Sequence, residues 1–167
     1  MAKKLPPVSI DGYRLAGDGP LVILFHGYTG SPYDLKPLAL YLHKQGCEVN
    51  VPLLYGHGTK SSDLVGITSD DWILQAKLEL CNVDKNRSLV LGGLSMGALI
   101  AILMAPASNA KALLLLSPAL HLTLSAELAI AGVKLGILSP DQSFPKLGGK
   151  SDIADPIAKK KCPSYPD

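Results

Sequence analysis

The amino-acid sequence predicts an α/β fold built on a doubly wound, mostly parallel β-sheet. Short apolar runs typical of buried strands alternate with longer segments in which apolar residues recur at helical spacing, and this alternation is typical of parallel sheets. The chain has 167 residues, of which 47% are hydrophobic and 18% charged, so one domain with a real core is expected. The predicted strands are residues 21–25, 48–51, 88–92 and 111–117.

The first predicted strand is followed by a helix with clear start and stop signals. Residues 21–25 are all apolar, as expected for a central strand that is buried on both faces. Ser31 and Asp34 have the spacing of a capping box, and Pro32 stands at the first helical position. One apolar stripe at helical spacing follows, formed by Leu35, Leu38, Ala39 and Leu42. Gly46 is expected to end the helix.

The second predicted strand leads through a glycine-rich loop into a second helix. Residues 48–51 form the strand, and residues 55–59 form the loop. Thr68 and Asp71 repeat the capping-box spacing at the start of the helix. Trp72, Ala76 and Leu80 then share one face of this helix.

The third strand leads directly into a helix, and the fourth strand ends the sheet-forming pattern. A helix is predicted from residue 97 to about residue 104, closed by Pro106. Residues 111–117 form the fourth strand. No further strand pattern follows, so we expect a core over residues 1–118 and a separate segment over residues 119–167.

A candidate nucleophile lies where the third strand meets its helix. Residues 93–97 read Gly-Leu-Ser-Met-Gly and match G-x-S-x-G. The turn from strand to helix is so sharp that both flanks need small residues, and the serine lies at the apex near the positive end of the helix. Ser95 is therefore predicted to be a nucleophile. The alternative is a glycine-rich turn with an inert serine.

A serine nucleophile also needs two backbone N–H donors for the oxyanion of its tetrahedral intermediate. The first is predicted to be the amide of Met96, directly after the serine. The second should come from a loop that follows an earlier central strand, and residues 26–30 are the only good candidate. Gly27 permits a sharp turn there, so that the amide of Tyr28 points into the site.

Composition and motifs disfavour other classes of function. A net charge of +2 gives no basis for nucleic-acid binding. The glycines near Ser95 lack G-x-G-x-x-G spacing and no P-loop occurs, so no nucleotide cofactor is expected. The three cysteines include no C-x-x-C pair, so no metal site is expected and the thiols should be reduced.

Neither a signal peptide nor a membrane span is predicted. The first residues contain two lysines but no apolar stretch after them. The longest apolar stretch, about residues 98–107, is well short of the roughly 20 residues that a membrane span requires. We therefore expect a cytoplasmic protein that does not interact with membranes.

Four stretches carry a family resemblance when they are taken in order. They are residues 25–30, 52–58, 69–72 and 93–97. Over residues 21 to about 117, the chain resembles an α/β-hydrolase of the bacterial carboxylesterase and monoacylglycerol-lipase kind. The resemblance implies that Ser95 is the nucleophile and that the amides of Tyr28 and Met96 form the oxyanion hole.

The same resemblance implies that the segment after residue 118 begins a lid over the site. Gly27, Leu120 and Leu124 are then expected to contact the substrate. The leucines of this segment favour a short or medium acyl chain, since it carries few charges. The substrate would be a small-molecule ester, and no cofactor is implied.

The triad acid and histidine are the point at which this chain departs from the family. Both normally follow the serine in chain order. The resemblance implies that this chain ends inside the lid, before the strands that carry them. His121 is the only histidine after Ser95, whereas His26 and His57 are expected to be structural and His43 to lie on the surface.

Three functional hypotheses therefore stay open. The first is a serine carboxylesterase acting on short- to medium-acyl esters or monoacylglycerols through an acyl-serine, with the triad completed by a second chain or by a part of the protein absent from this sequence. The second is an inactive fragment that serves as a binding or assembly module. The third is a self-sufficient hydrolase that uses His121 as its base. Association with that second chain or with itself is expected, because residues 111–117 would otherwise expose leucines and a backbone edge.

Overall fold

A five-stranded β-sheet lies at the centre of the computed structural model, which describes residues 11–122 and 124–139. The order across the sheet is β1-β3-β2-β4-β5, in which β1 is antiparallel to β3 and all other neighbours are parallel. The predicted fold class is therefore confirmed. The strands are β1 (Tyr13–Leu15), β2 (Leu21–Phe25), β3 (Glu48–Val51), β4 (Leu89–Leu94) and β5 (Ala110–Leu116).

Helices connect the parallel strands, as the sequence predicts. They are α1 (Lys36–Lys44) between β2 and β3, α2 (Ser69–Cys81) between β3 and β4, and α3 (Met96–Met104) between β4 and β5. A fourth helix, α4 (Leu124–Lys134), follows β5. Short 3₁₀ turns lie at Pro32–Leu35, Ser61–Leu64 and Ala105–Ala107.

The continuous apolar run of β2 reflects burial on both faces of the sheet. Leu21, Ile23 and Phe25 pack in one cluster with residues of α2 and α3. Val22 and Leu24 pack in a second cluster with residues of α1. Because successive strand residues point to opposite faces, helices cover both sides and the sheet is doubly wound.

Both predicted capping boxes form. At the first, the Ser31 hydroxyl accepts a hydrogen bond from the Tyr33 N–H, and the Asp34 carboxylate accepts one from the Ser31 N–H at 2.9 Å. At the start of α2, the Asp71 carboxylate accepts a hydrogen bond from the Thr68 N–H at 2.8 Å. This hydrogen bond lowers the pKa of Asp71.

Three features differ from the sequence prediction. Strand β1 was not predicted, because it has three residues and only Leu15 is buried, which is too short for a periodic pattern. Strand β4 extends to Leu94 rather than ending at residue 92, since its pairing with β5 continues as far as Leu94 opposite Leu116. Helix α4 forms in a segment for which no element was predicted.

The predicted lid segment is described only in its first part. Helix α4 has no buried residue, and residues 140–167, which include most of the segment 119–167, lie outside the described residues. The division at residue 118 therefore stays a prediction. Among the helices of the described part, none is both long and apolar enough to cross a membrane.

The amino ends of the strands are fastened by an ion-pair network around a buried carboxylate. Glu48, at the start of β3, is 6% exposed and pairs with both Arg14 and Arg87. Arg87 also donates to the carbonyl oxygens of Gly17 and Gly19 at 2.7 and 3.0 Å. The network links β1, the start of β3 and the loops that precede β2 and β4.

Candidate active site

Ser95 occupies a strained turn between β4 and α3. Its backbone has φ 54° and ψ −115°, a left-handed conformation that side chains with a Cβ rarely adopt. The Ser95 N–H donates to the carbonyl oxygen of Leu116 at 2.9 Å, which fastens the turn to the end of β5. The hydroxyl makes no capping hydrogen bond to α3.

The two glycines of the motif are required by close backbone contact. A β-carbon on Gly93 would overlap the backbone of Gly97, and one on Gly97 would overlap the carbonyl group of Phe25 at the end of β2. Helix α3 therefore begins directly against the ends of β2 and β4. This tight packing explains why the turn accepts no side chain at either flank.

The predicted oxyanion loop lies beside this turn. Strands β2 and β4 are parallel neighbours in a register that pairs Phe25 with Gly93, so the loops that follow them leave the sheet together. A β-carbon on Gly27 would lie 3.5 Å from the Ser95 Cβ. The loop turns back through Thr29 at φ 60°, and the Gly30 N–H donates to the Gly27 carbonyl at 3.1 Å.

The two predicted oxyanion donors are the amides of Tyr28 and Met96. Met96 is the first residue of α3, where helix geometry gives its N–H no acceptor within the helix. Within the described part of the chain, neither amide donates to an acceptor. Tyr28 follows β2 and Met96 follows β4, so both lie at the carboxyl ends of the strands, as Ser95 does. Their role in binding an oxyanion stays a prediction.

His26 is a buried structural histidine that joins two loops. It is 0% exposed, its Nε2 accepts a hydrogen bond from the Leu54 N–H at 3.0 Å, and its Nδ1 faces the Gly27 carbonyl at 3.0 Å. This geometry assigns the proton to Nδ1. Burial lowers the pKa of His26 to about 3, so the ring is neutral at neutral pH. The predicted structural role is confirmed.

The loop after β3 packs against residues 26–30, the predicted oxyanion loop, and is held by α2. The Gln75 side chain accepts from the Tyr55 N–H at 2.9 Å and donates to the Leu53 carbonyl at 2.7 Å. The Tyr55 carbonyl faces the Trp72 Nε1 at 3.0 Å and the His57 Nδ1 at 3.0 Å. His57 is 3% exposed, and burial lowers its pKa, which confirms its predicted structural character.

Sequence reasoning missed the roles of Gln75 and Trp72 in this loop. Trp72 was predicted only as part of an apolar helix face, and Gln75 was not singled out. Their partners lie 17 to 22 residues earlier in the chain, so no local pattern indicates the hydrogen bonds. The glycine-rich composition of residues 55–59 was the available signal.

The residues after β5 that were predicted to contact the substrate or to act as the base lie on the surface. Leu120 is 65% exposed and Leu124 is 71% exposed, so their contact with a substrate stays a prediction. His121 is also exposed. His43 is half-buried in the last turn of α1, rather than fully on the surface as predicted.

A cavity of about 230 Å³ lies at the other edge of the sheet, near the start of β2. Its walls include Arg14, Arg87, Asn50 and Glu79. These groups are already paired, since both arginines contact Glu48 and the Asn50 amide donates to Glu79 at 2.8 Å. Within the described residues, no group of three potential metal ligands occurs there or at Ser95.

Comparison with known families decides the relationship of this chain. The sequence pattern described as the alpha/beta hydrolase family matches residues 22–163. The chain belongs to this family. The resemblance drawn from the sequence is thereby confirmed at the level of the family.

Two curated relatives share part of the chain. It is 35% identical to the thermostable monoacylglycerol lipase of Bacillus sp. (strain H-257) over 108 residues, which are 63% of this chain and 43% of that protein. It is 27% identical to the carboxylesterase of Bacillus subtilis (strain 168) over 141 residues, which are 83% of this chain and 55% of that protein. The chain thus spans about half the length of these relatives.

Solved structures agree on the fold. A structure from work on the metagenome-derived lipolytic enzymes LipS and LipT superposes with a TM-score of 0.64 at 26% identity, covering 84% of this chain and 56% of that one. The thioesterase domain from the curacin biosynthetic pathway gives a TM-score of 0.57 at 27% identity, covering 77% and 48%. Both structures therefore share the overall fold of this chain over the region that each one covers.

Proposed function

We propose that this alpha/beta hydrolase is a serine hydrolase of carboxylic esters, acting on short- to medium-acyl esters or monoacylglycerols. The observation that carries the proposal is the strained backbone of Ser95 at φ 54°, directly beside the Gly27 turn. A non-glycine residue held in such a conformation is costly and is typical of active sites. The names of the monoacylglycerol lipase and carboxylesterase relatives support an ester substrate.

The proposed reaction proceeds through an acyl-serine. A base removes the proton of the Ser95 hydroxyl while its oxygen attacks the acyl carbon, and the carbonyl oxygen becomes an oxyanion. The amides of Tyr28 and Met96 stabilise this oxyanion. The intermediate collapses, the protonated base returns its proton to the departing alcohol, and an acyl-serine remains. Water then attacks the acyl carbon by the same steps and releases the carboxylic acid and the free serine.

The base is the most demanding part of this proposal. His26 is unsuited, because its Nε2 already accepts from the Leu54 N–H and the ring is fully buried. His57 is buried with its Nδ1 committed to Tyr55. Three sources therefore remain as proposals: His121, which lies on the stretch that follows β5, a histidine brought by a complementary chain, and a histidine in a part of the protein outside this sequence.

Covalent labelling tests the nucleophile. An alkyl organophosphonate with a good leaving group should add to Ser95, and mass spectrometry of the digested protein should locate the adduct at this residue. Ser95→Ala is the matched control and should show neither the adduct nor ester turnover. An unlabelled wild-type protein, or ester turnover that persists in Ser95→Ala, would contradict the proposal.

The source of the base can be separated by a second pair of variants. If His121 is the base, His121→Ala should lower ester turnover by about the amount expected for loss of a triad member, leaving only the roughly 10³–10⁴-fold of residual catalysis. If a complementary chain supplies the base, the protein alone should show the same weak turnover with or without His121→Ala, and adding that chain should raise turnover equally in both. His43→Ala is the control, since this histidine lies in α1.

A binding or assembly module is the second candidate, favoured by the outer edge of β5. Within the described residues, β5 pairs only with β4, and its Leu113 and Leu115 are 38% and 42% exposed. Open backbone groups and apolar side chains at an edge favour association with another chain. Absence of labelling at Ser95, together with a stable complex through β5, would favour this candidate over the esterase.

A further inference from the structure

His57 is the common neighbour of the two residues that flank Gly27. Its ring lies edge-on to the ring of His26 with centroids 4.8 Å apart, and edge-on to the ring of Tyr28 with centroids 6.2 Å apart. Trp72 backs the arrangement, with its ring 5.7 Å from that of His57 and 6.1 Å from that of Tyr28. One imidazole from the loop after β3 therefore supports both sides of the oxyanion loop.

The His57 ring is itself fixed by its own loop. Its Nδ1 faces the Tyr55 carbonyl at 3.0 Å, and the Tyr55 N–H is held by Gln75 on α2. Since the Tyr55 carbonyl is an acceptor, the proton of the neutral ring lies on Nδ1. The side chain is therefore a rigid wedge between α2 and the oxyanion loop.

One nitrogen of the His57 ring is buried in an unfavourable way. The other ring nitrogen, Nε2, is buried and has no hydrogen-bond partner within the described part of the chain. A buried polar atom without a partner is unfavourable, so an apolar ring of this size would suit packing alone. The hydrogen bond from Nδ1 to the Tyr55 carbonyl offsets part of this cost, and the ring itself packs edge-on against His26 and Tyr28.

The oxyanion loop depends on such support. Tyr28 is 55% exposed, and the loop beyond it passes through a left-handed residue, Thr29. An oxyanion hole accelerates a reaction only when its donors are oriented before the charge forms. A donor displaced by about 1 Å can lower the rate by about 10²-fold.

We propose that His57 is a positioning residue, whose ring holds Tyr28 so that its backbone amide is oriented for the oxyanion before an ester binds. This inference rests on the proposed esterase function. Its distinctive claim is that the ring contact, rather than the hydrogen bond to Tyr55, orients the amide. Because His57 is only 3% exposed, we expect its effect to fall on the chemical step rather than on substrate binding.

Two complementary substitutions separate the ring from the hydrogen bond. His57→Asn keeps a side-chain donor for the Tyr55 carbonyl but removes the ring, whereas His57→Phe keeps the ring and removes the donor. We expect His57→Asn to lower kcat for p-nitrophenyl butyrate by about 10-fold with KM changed less than about twofold. His57→Phe should stay within about threefold of wild type.

His43→Asn is the matched control. His43 also has a buried ring nitrogen without a partner in the described part of the chain, but it lies in the last turn of α1. This control should leave kcat within twofold of wild type. Failure of His57→Phe to rescue kcat, an unchanged kcat in His57→Asn, or a loss that appears only in KM would overturn the inference. If His57→Asn does not fold, His57→Leu serves as the ring-free variant.

A measurement without turnover distinguishes failure of this inference from failure of the proposed function. NMR relaxation of the ¹⁵N-labelled protein should give the Tyr28 amide an order parameter of about 0.85 in wild type and below about 0.6 in His57→Asn. An unchanged Tyr28 order parameter would overturn the positioning role, even in an active esterase. A wild-type protein whose Ser95 resists the phosphonate would instead contradict the esterase proposal, whatever the order parameter.

Discussion

Replacing Ser95 by glycine should make the protein more stable while it abolishes the proposed activity. The backbone conformation of Ser95, φ 54° and ψ −115°, is unfavourable for a residue with a Cβ and is accessible to glycine. Such a conformation costs about 1–3 kcal/mol. Glycine adds about 0.5–1 kcal/mol of backbone entropy to the unfolded chain, which opposes the gain. The free energy of unfolding should therefore rise by about 1 kcal/mol.

Ser95→Ala provides the comparison that isolates this strain. Alanine keeps the Cβ and the same backbone conformation, and the Ser95 hydroxyl that it lacks makes no capping hydrogen bond. Its free energy of unfolding should stay within about 0.5 kcal/mol of wild type. Both variants should lose labelling by the phosphonate, so stability alone separates them.

Urea denaturation followed by circular dichroism measures the difference. The midpoint should increase in Ser95→Gly at an unchanged slope, and the thermal midpoint should rise by about 2–4 °C for a chain of this size. A Ser95→Gly protein that is no more stable than Ser95→Ala would refute the reasoning, because the strain at this turn would then be absent or relieved elsewhere.

Three further predictions concern other parts of the fold. Because burial lowers the pKa of His26 from 6.5 to about 3, the unfolded chain binds more protons than the folded one. The stabilising contribution of the neutral His26 ring is therefore complete above about pH 6.5 and is lost as the pH falls toward 3, with a slope of up to about 1.4 kcal/mol per pH unit. The urea midpoint of His26→Gln should decline less steeply from pH 6 to 4 than that of wild type. Parallel declines in the two proteins would contradict this prediction. Glu48→Ala should lower the free energy of unfolding by about 1 kcal/mol in the same assay, because the Arg14 and Arg87 side chains left without their partner are 61% and 29% exposed and can be solvated, whereas no measurable loss would mean that the network is not stabilising. Replacing both Leu113 and Leu115 on β5 by lysine should reduce self-association in sedimentation velocity, and a wild-type protein that is already monomeric at high concentration would argue against an adhesive edge.

The candidate nucleophile could be predicted because the relevant constraints are local. Gly93 and Gly97 stand within two residues of Ser95, and the contacts that demand them arise from the turn itself and the adjacent strand end. The buried run of β2 is similarly explicit in the sequence, since a strand covered on both faces needs apolar residues at every position. The order of the strands was not predicted, and it is the structure that shows β2 and β4 to be neighbours.

Contacts between distant parts of the chain could not be predicted in the same way. Gln75 stands on an amphipathic helix, where a polar residue usually faces solvent, yet it is 8% exposed and bonds both Leu53 and Tyr55. Strand β1 exists through pairing with β3, since its three residues have no periodicity of their own. Sequence periodicity reports burial, whereas these features depend on which loops the folded sheet brings together.

The amino and carboxyl ends of the parallel strands differ in a way that indicates which end carries the candidate active site. At the amino ends, Glu48 pairs with two arginines, so these charged groups have partners and the backbone is held in place. At the carboxyl ends, three residues with side chains adopt positive φ: Thr29 after β2, Ser95 after β4 and Ser117 after β5. Since each such residue costs free energy that the surrounding fold must offset, three on adjacent strands imply that a rigid scaffold holds this edge in an unfavourable conformation. Preorganisation of that kind is what an oxyanion-stabilising site requires, and it places the demand for rigidity on the loop that His57 supports.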